Sequence, residues 1–211
     1  LNTFNNYRLS KIRNITENIF QKRIAKLTNE NSVNFKGAYI ADFNISDKDK
    51  YYIINASLRS DKIKEGIEDI YYLIEQVKKY GFLQSELDKA KKEIIQSLEK
   101  FLTSEETRSS SSFVNEYIRH YTEDEMISGP EKYIEYTKNI LPTISLSEIN
   151  NYFENYIKDE NQILQIKGPL SIKNLPDENE INKIKNIVIA KNIDRYEYEL
   201  KKVELIKDDL K

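Results

Sequence analysis

The chain of 211 residues has no cysteine, a single histidine (His120) and a single methionine (Met126). Without cysteine there are no disulfides, no thiolate nucleophile and no sulfur-ligated metal, and the redox compartment cannot be read. One imidazole is too few for a helical zinc site of the His-Glu-x-x-His type or its inverted His-x-x-Glu-His form. A nucleophilic triad would have only His120 as its base, and no Gly-x-Ser-x-Gly elbow is present. Five scattered glycines form no phosphate-cradling loop. The net charge of -2 supplies no global field toward nucleic acid or an anionic membrane. No apolar run approaches the length of a membrane span, and no apolar signal core stands at the N-terminus. The chain opens at Leu1, on residues that already read as the interior of a domain, so a segment cut from a longer protein is expected.

What is present suffices for one domain, or one domain with a linker: 39% of residues are hydrophobic, enough to build a core. Residues 5–27 carry Ile12, Ile15, Ile19, Phe20, Ile24 and Leu27 at helical spacing. The period then changes. Tyr39, Ala41, Phe43 and Ile45 share one face at period two, as do Tyr52, Ile54, Ala56 and Leu58, and the two runs predict an antiparallel hairpin. Asp61 is placed to cap a helix with Ile63, Ile67, Ile70, Ile74 and Val77 as its stripe, ended by Gly81. Ser85 and Asp88 resemble an acidic capping box for the next helix, whose buried face is Leu87, Ala90, Ile94, Leu98, Phe101 and Leu102. Serines 109–112 predict a bend, after which Phe113, Tyr117 and Ile118 resume the helical period. Ser128 and Pro130 start another helix, and Ser145 with Glu148 caps one more. Residues 162–166 read as a short strand closed by Gly168 and Pro169, and a charged helix is expected over 178–191.

The expected class is therefore α+β: an antiparallel sheet with several helices packed on one face. Three strands make a small sheet, so one or more further strands are expected upstream of Leu1 or from a partner. The expected division is a domain over 1–170 and a charged linker or helical extension over 171–211.

Several residues allow two interpretations. His120, followed by Glu123, Asp124 and Glu125, could be a metal or proton-transfer site, but a helix-end histidine beside a solvated acidic turn explains it better. Tyr51, Tyr52, Tyr71 and Tyr72 could form a binding surface; half-buried packing positions on their elements account for them more simply. Lys89, Lys91 and Lys92 are interleaved with Glu86, Asp88 and Glu93, a charge-balanced solvated helix face and no nucleic-acid site.

One combination of motifs is more specific. Tyr80-Gly81-Phe82, followed by Ser85-Glu86-Leu87-Asp88-Lys89-Ala90-Lys91, is similar to the G-(F/V)-x-x-x-E-L-x-x-A-K signature of the pitrilysin/insulinase family of zinc metallopeptidases. Residues 113–121 resemble a helix of its bacterial, processing-protease-like members. Leu141-Pro142-Thr143-Ile144-Ser145-Leu146-Ser147-Glu148-Ile149-Asn150 is similar to their L-P-x-I-T-L-x-E-(V/I)-N element, and Asp159-Glu160-Asn161-Gln162 to the D-x-N-R before their last strand. The resemblance covers about residues 8–170.

The resemblance implies a LuxS/processing-peptidase-like α+β domain, the non-catalytic second domain of the N-terminal half of a two-half protein that clasps a chamber. It implies zinc in the upstream domain and no cofactor in this segment. It places no catalytic, cofactor-binding or metal residue at any position here. The implied partners are the remainder of the same polypeptide and a peptide or small protein substrate, with no nucleic acid and no membrane span; a bare sheet edge adds a possible homodimer. The implied compartment is the bacterial periplasm. The competing interpretations are a metal-free scaffold or interaction domain of the same fold, and an unrelated α+β interaction domain.

Overall fold

The computed structural model describes residues 4–44, 50–104, 110–123, 129–158, 160–169, 171–172 and 175–197. It has α+β architecture. The order is α1 (Phe4–Asn29), β1 (Phe35–Asn44), β2 (Lys50–Leu58), α2 (Ile63–Tyr80), α3 (Gln84–Ser104), α4 (Ser110–Glu123), α5 (Gly129–Ile140), a 3-10 turn (Leu141–Thr143), α6 (Leu146–Tyr156) and α7 (Glu178–Ala190).

Helix α1 is the axis. Its Ile12, Ile15, Ile19, Phe20 and Ile24 are all buried, one stripe at the spacing that a 3.6-residue period requires. That stripe packs on β1, α3 and α6. Phe20 meets Phe153 of α6 at 5.2 Å, and Phe82 meets the same ring edge-on at 5.5 Å. Helix α5 is tied to α1 through Lys11, whose Nζ donates to the Tyr133 hydroxyl at 3.0 Å and stands between the Tyr7 and Tyr133 rings.

β1 and β2 pair antiparallel from Phe35↔Leu58 to Asn44↔Lys50, with a bulge between Phe35 and Gly37. Ala38 is buried and Ile40, Ile54 and Ala56 pack against the core. The opposite face carries the Tyr39, Ala41 and Phe43 set, with Phe43 stacked on its partner Tyr51 at 5.6 Å. That face looks outward: Tyr39, Phe43 and Tyr51 are exposed. The expected β2 set, Tyr52, Ile54, Ala56 and Leu58, does face the core, but the expected β1 set lies on the opposite face; both faces of β1 carry apolar residues, so its periodicity does not select the inner one. Ile45 lies outside the described residues, as does most of the turn over 46–50.

Other expectations shift. Residues 162–166 join no ladder; among the described residues the sheet has two strands, and Ile163 and Leu164 are exposed. A run of three apolar residues is too little to hold a strand without a paired neighbour. Asp61 does not cap α2: the cap position is Lys62, with no side-chain bond. Serines 110–112 form the first turn of α4, and 105–109 lie outside the described residues. So does Ser128, while Pro130 sits in the first turn of α5. The helix after residue 177 is less solvated than its charge suggests. Ile181, Ile184 and Val188 are buried, Ile181 and Ile184 in a second small cluster with Ile67 of α2, and Asp177 with Glu180 forms a capping box. Residues 191–197 then lie along α2. Gln76 Nε2 donates to the Asp194 carbonyl at 2.8 Å, the Tyr80 hydroxyl donates to the Ile193 carbonyl at 2.8 Å, and the Asp194 amide donates to the Tyr72 hydroxyl at 3.1 Å.

The Ser145–Glu148 capping box forms as expected, with both reciprocal bonds present. Glu148 also accepts from both terminal nitrogens of Arg8. Those Arg8 bonds, helped by the Ser145 amide and hydroxyl, hold its carboxyl down to about 2 from 4.5. A depressed carboxylate contributes stability that is complete above its unfolded value and is lost as pH falls toward the folded one. Urea unfolding between pH 7 and pH 2 should therefore show an acid-labile component that Glu148→Gln flattens. Ser145→Ala should cost about 1 kcal/mol at neutral pH.

Candidate functional site

Two of the family-like motifs, residues 80–91 and 141–150, meet at one buried junction, whereas the described hydrophobic residues of the 113–121 stretch are exposed on α4. Gly81 ends α2 at φ 69°, a left-handed conformation that a side chain disfavours. A Cβ there would also stand 2.5 Å from the Asn150 side chain. Asn150 must approach this closely, because its Oδ1 accepts from the Phe82 amide at 2.8 Å. Phe82, Leu87 and Ala90 are buried. Lys91 crosses to donate to the Ile144 carbonyl at 2.6 Å. The first motif and the Leu141–Asn150 motif are thus two halves of one interlock.

Glu86 has the largest role. The expected Ser85/Asp88 box does not form, because α3 begins at Gln84 and Ser85 is already inside it. Glu86 reaches back instead to accept from the Leu83 amide at 2.7 Å, while Asp88 accepts from Gln84 Nε2. Glu86 also accepts two bonds from Arg23 of α1: Nε to Oε1 at 2.7 Å and Nη2 to Oε2 at 2.6 Å. Arg23 Nη2 further donates to the Gly81 carbonyl at 3.2 Å. The pair is buried, with side-chain exposure of 1% for Arg23 and 8% for Glu86. The Tyr196 and Phe82 rings lie 4.1 and 5.0 Å from the guanidinium carbon. The sequence holds a signal for Arg23 that periodicity alone does not use: an arginine in register with Ile19 and Phe20 on a buried stripe needs a buried acid.

Beside this junction lies a pocket of about 260 Å³, lined among others by Ile19, Lys22, Arg23, Lys26, Lys89 and Tyr196. Burial and the nearby Lys89 ammonium lower the pKa of Lys22.

The other candidates are not assembled into a site. His120 is exposed on α4, and its acidic neighbours Asp124 and Glu125 lie outside the described residues, as does the side chain of Glu123. Lys89 and Lys92 are exposed and Lys91 is half-buried; Tyr52, Tyr71 and Tyr72 are half-buried, and Tyr51 is exposed.

No family model and no curated protein matches the sequence. The fold is nevertheless that of the pitrilysin/insulinase-like proteases. Among solved structures, the chain is similar to the periplasmic protease PqqL from Escherichia coli, with a TM-score of 0.85, 13% identity and 99% of this chain covered. It is also similar to a mutant of the ferredoxin protease FusC in complex with Arabidopsis ferredoxin (TM-score 0.76, 16% identity, 93% of this chain and 22% of that one). A third is a predicted insulinase family protease from Yersinia pestis (TM-score 0.69, 13% identity, 87% of this chain and 40% of that one). The chain spans 23% of the length of PqqL. The chain has one histidine and no cysteine, and no group of three or more metal-ligating side chains assembles among the described residues. No helix among them is long and apolar enough to cross a membrane.

Removing one partner of a buried ion pair strands the other charge. Arg23→Met should therefore lower unfolding free energy by about 3–5 kcal/mol in urea titration, and the double variant with Glu86→Gln should recover part of that loss. Gly81→Ala should cost about 1–3 kcal/mol, from its left-handed φ and the Asn150 contact together.

Proposed function

We propose that this chain is a non-catalytic segment of a zinc-dependent endopeptidase, in which it forms part of a chamber wall and helps hold a peptide or small protein substrate. The observation that carries this reading is an insulinase-like protease fold over 99% of the chain in which the motif residues Gly81, Phe82, Glu86, Leu87, Ala90 and Lys91 are engaged in packing and helix ties. The zinc and its general base would then belong to another domain of the same polypeptide, where metal-bound water is activated for attack on a peptide bond.

Two exposed apolar surfaces support a larger assembly. One is the outer face of the hairpin, with Tyr39, Phe43 and Tyr51; the other is α4, where Phe113, Val114, Tyr117, Ile118 and Tyr121 are all exposed. Contiguous apolar surface of this kind marks contact sites, and on this reading the remainder of the polypeptide covers it. The periplasm is the compartment that the reading favours.

Zinc content and peptide hydrolysis, measured on this 211-residue chain and on a longer parent protein, test the proposal. The expected outcome is an inert, zinc-free chain beside an active, zinc-bearing parent. An inert, metal-free parent would replace the peptidase reading with that of a scaffold, and zinc-dependent cleavage by the chain alone would overturn it.

A further inference from the structure

Residues 191–197 form no helix or strand of their own, yet α2 holds them with a regular device. Tyr72, Gln76 and Tyr80 stand four residues apart on one face of that helix. All three bond to main-chain atoms. The Asp194 amide donates to the Tyr72 hydroxyl at 3.1 Å, Gln76 Nε2 donates to the Asp194 carbonyl at 2.8 Å, and the Tyr80 hydroxyl donates to the Ile193 carbonyl at 2.8 Å. These bonds engage backbone, so the face recognises an extended chain and not a particular side chain.

The side-chain anchors recur with period three. Ile193 and Tyr196 are buried, while Asn192, Asp194, Arg195 and Glu197 are exposed. The Lys191 backbone, at φ -70° and ψ 148°, has polyproline-II values, and three residues per turn is the repeat of that helix. Docking of such a chain on an aromatic-lined groove is a recurring mode of peptide recognition. Neither anchor belongs to the two apolar clusters of the core. Tyr196 lies instead on cationic groups of α1, its ring 4.1 Å from the Arg23 guanidinium carbon and 5.5 Å from Lys26 Nζ. The further tie from Lys191 to Glu68 is an exposed ion pair, of a kind that contributes little in water. A segment outside the core clusters, held by side-chain bonds in place of a ladder, is the kind that opens by itself while the core stays closed.

We propose that the Tyr72–Gln76–Tyr80 face of α2 is a docking groove for an extended peptide, and that residues 191–197 occupy it as a detachable strap. Because this occupant is tethered, its local concentration is in roughly the millimolar range, which keeps the groove filled. Release of the strap uncovers α2 and the buried Arg23–Glu86 pair. The inference needs neither zinc nor the peptidase reading.

Hydrogen exchange of the 211-residue chain tests the strap. The Asp194 amide should exchange through local opening, roughly a hundredfold or more faster than the buried amides of α1. A synthetic peptide of residues 191–197, acetylated and amidated, tests the groove. It is titrated against the parent chain and against the double variant Ile193→Ser, Tyr196→Ala, whose strap has lost both anchors. The variant should bind the peptide saturably, and the parent about tenfold more weakly or worse, because its own strap competes. Adding Tyr72→Phe and Tyr80→Phe to the variant removes two hydroxyls and should weaken the peptide by about tenfold. Retained exchange protection in α1 verifies that each variant is folded; if the anchor variant unfolds, exchange of the parent chain decides. Exchange of the Asp194 amide only at the rate of the core, no binding to the folded anchor variant, equal binding to both chains, or affinity indifferent to the hydroxyls would each overturn the assignment. So would equal binding of a control peptide carrying Ile193→Ser and Tyr196→Ser.

Discussion

A buried arginine–glutamate pair is the constraint on which this domain's arrangement depends. Arg23 sits on the buried face of α1 beside Ile19, Phe20 and Ile24, where a charge needs a partner. Its charge is accepted there because Glu86 meets it with two bonds while also tying down the Leu83 amide at the start of α3. Burying such a pair gains little net stability over an apolar replacement, since desolvation offsets most of the attraction. What the pair does is specify position. The Glu86 carboxylate must face α1, which sets where α3 begins and how it crosses.

The second constraint is steric. Gly81 turns the chain from α2 into α3 so tightly that the Asn150 side chain occupies the space a Cβ would need, and Asn150 in return caps the Phe82 amide. With Lys91 reaching the Ile144 carbonyl, two segments about sixty residues apart in sequence are locked side by side. This accounts physically for why those stretches read as motifs: each residue type is required by a contact that few others can make.

The helices of the domain were legible where the signal is local. Ser145 and Glu148 cap α6 through atoms three residues apart, and the α1 stripe follows from its own period. Failures arose where two local choices were nearly equal. Asp61 and Ser85 are suitable caps by residue type, yet α2 starts after Lys62 with no side-chain cap, and at the start of α3 it is Glu86 that accepts from the Leu83 amide while pairing with Arg23. Of the pocket, the sequence disclosed Lys89 only as part of a balanced face; its partners come from α1 and from Tyr196, far along the chain.

By itself the sequence determined the α+β class, the presence of the hairpin and the helix stripes, because each rests on spacing within one element or its neighbour. Tertiary structure alone decided which face of β1 turns inward, that residues 162–166 join no ladder, that Ile181, Ile184 and Val188 bury against the body, and that Tyr196 covers Arg23. These outcomes depend on contacts between residues distant in sequence. Their energies are settled only when the whole core closes, and no local pattern encodes them.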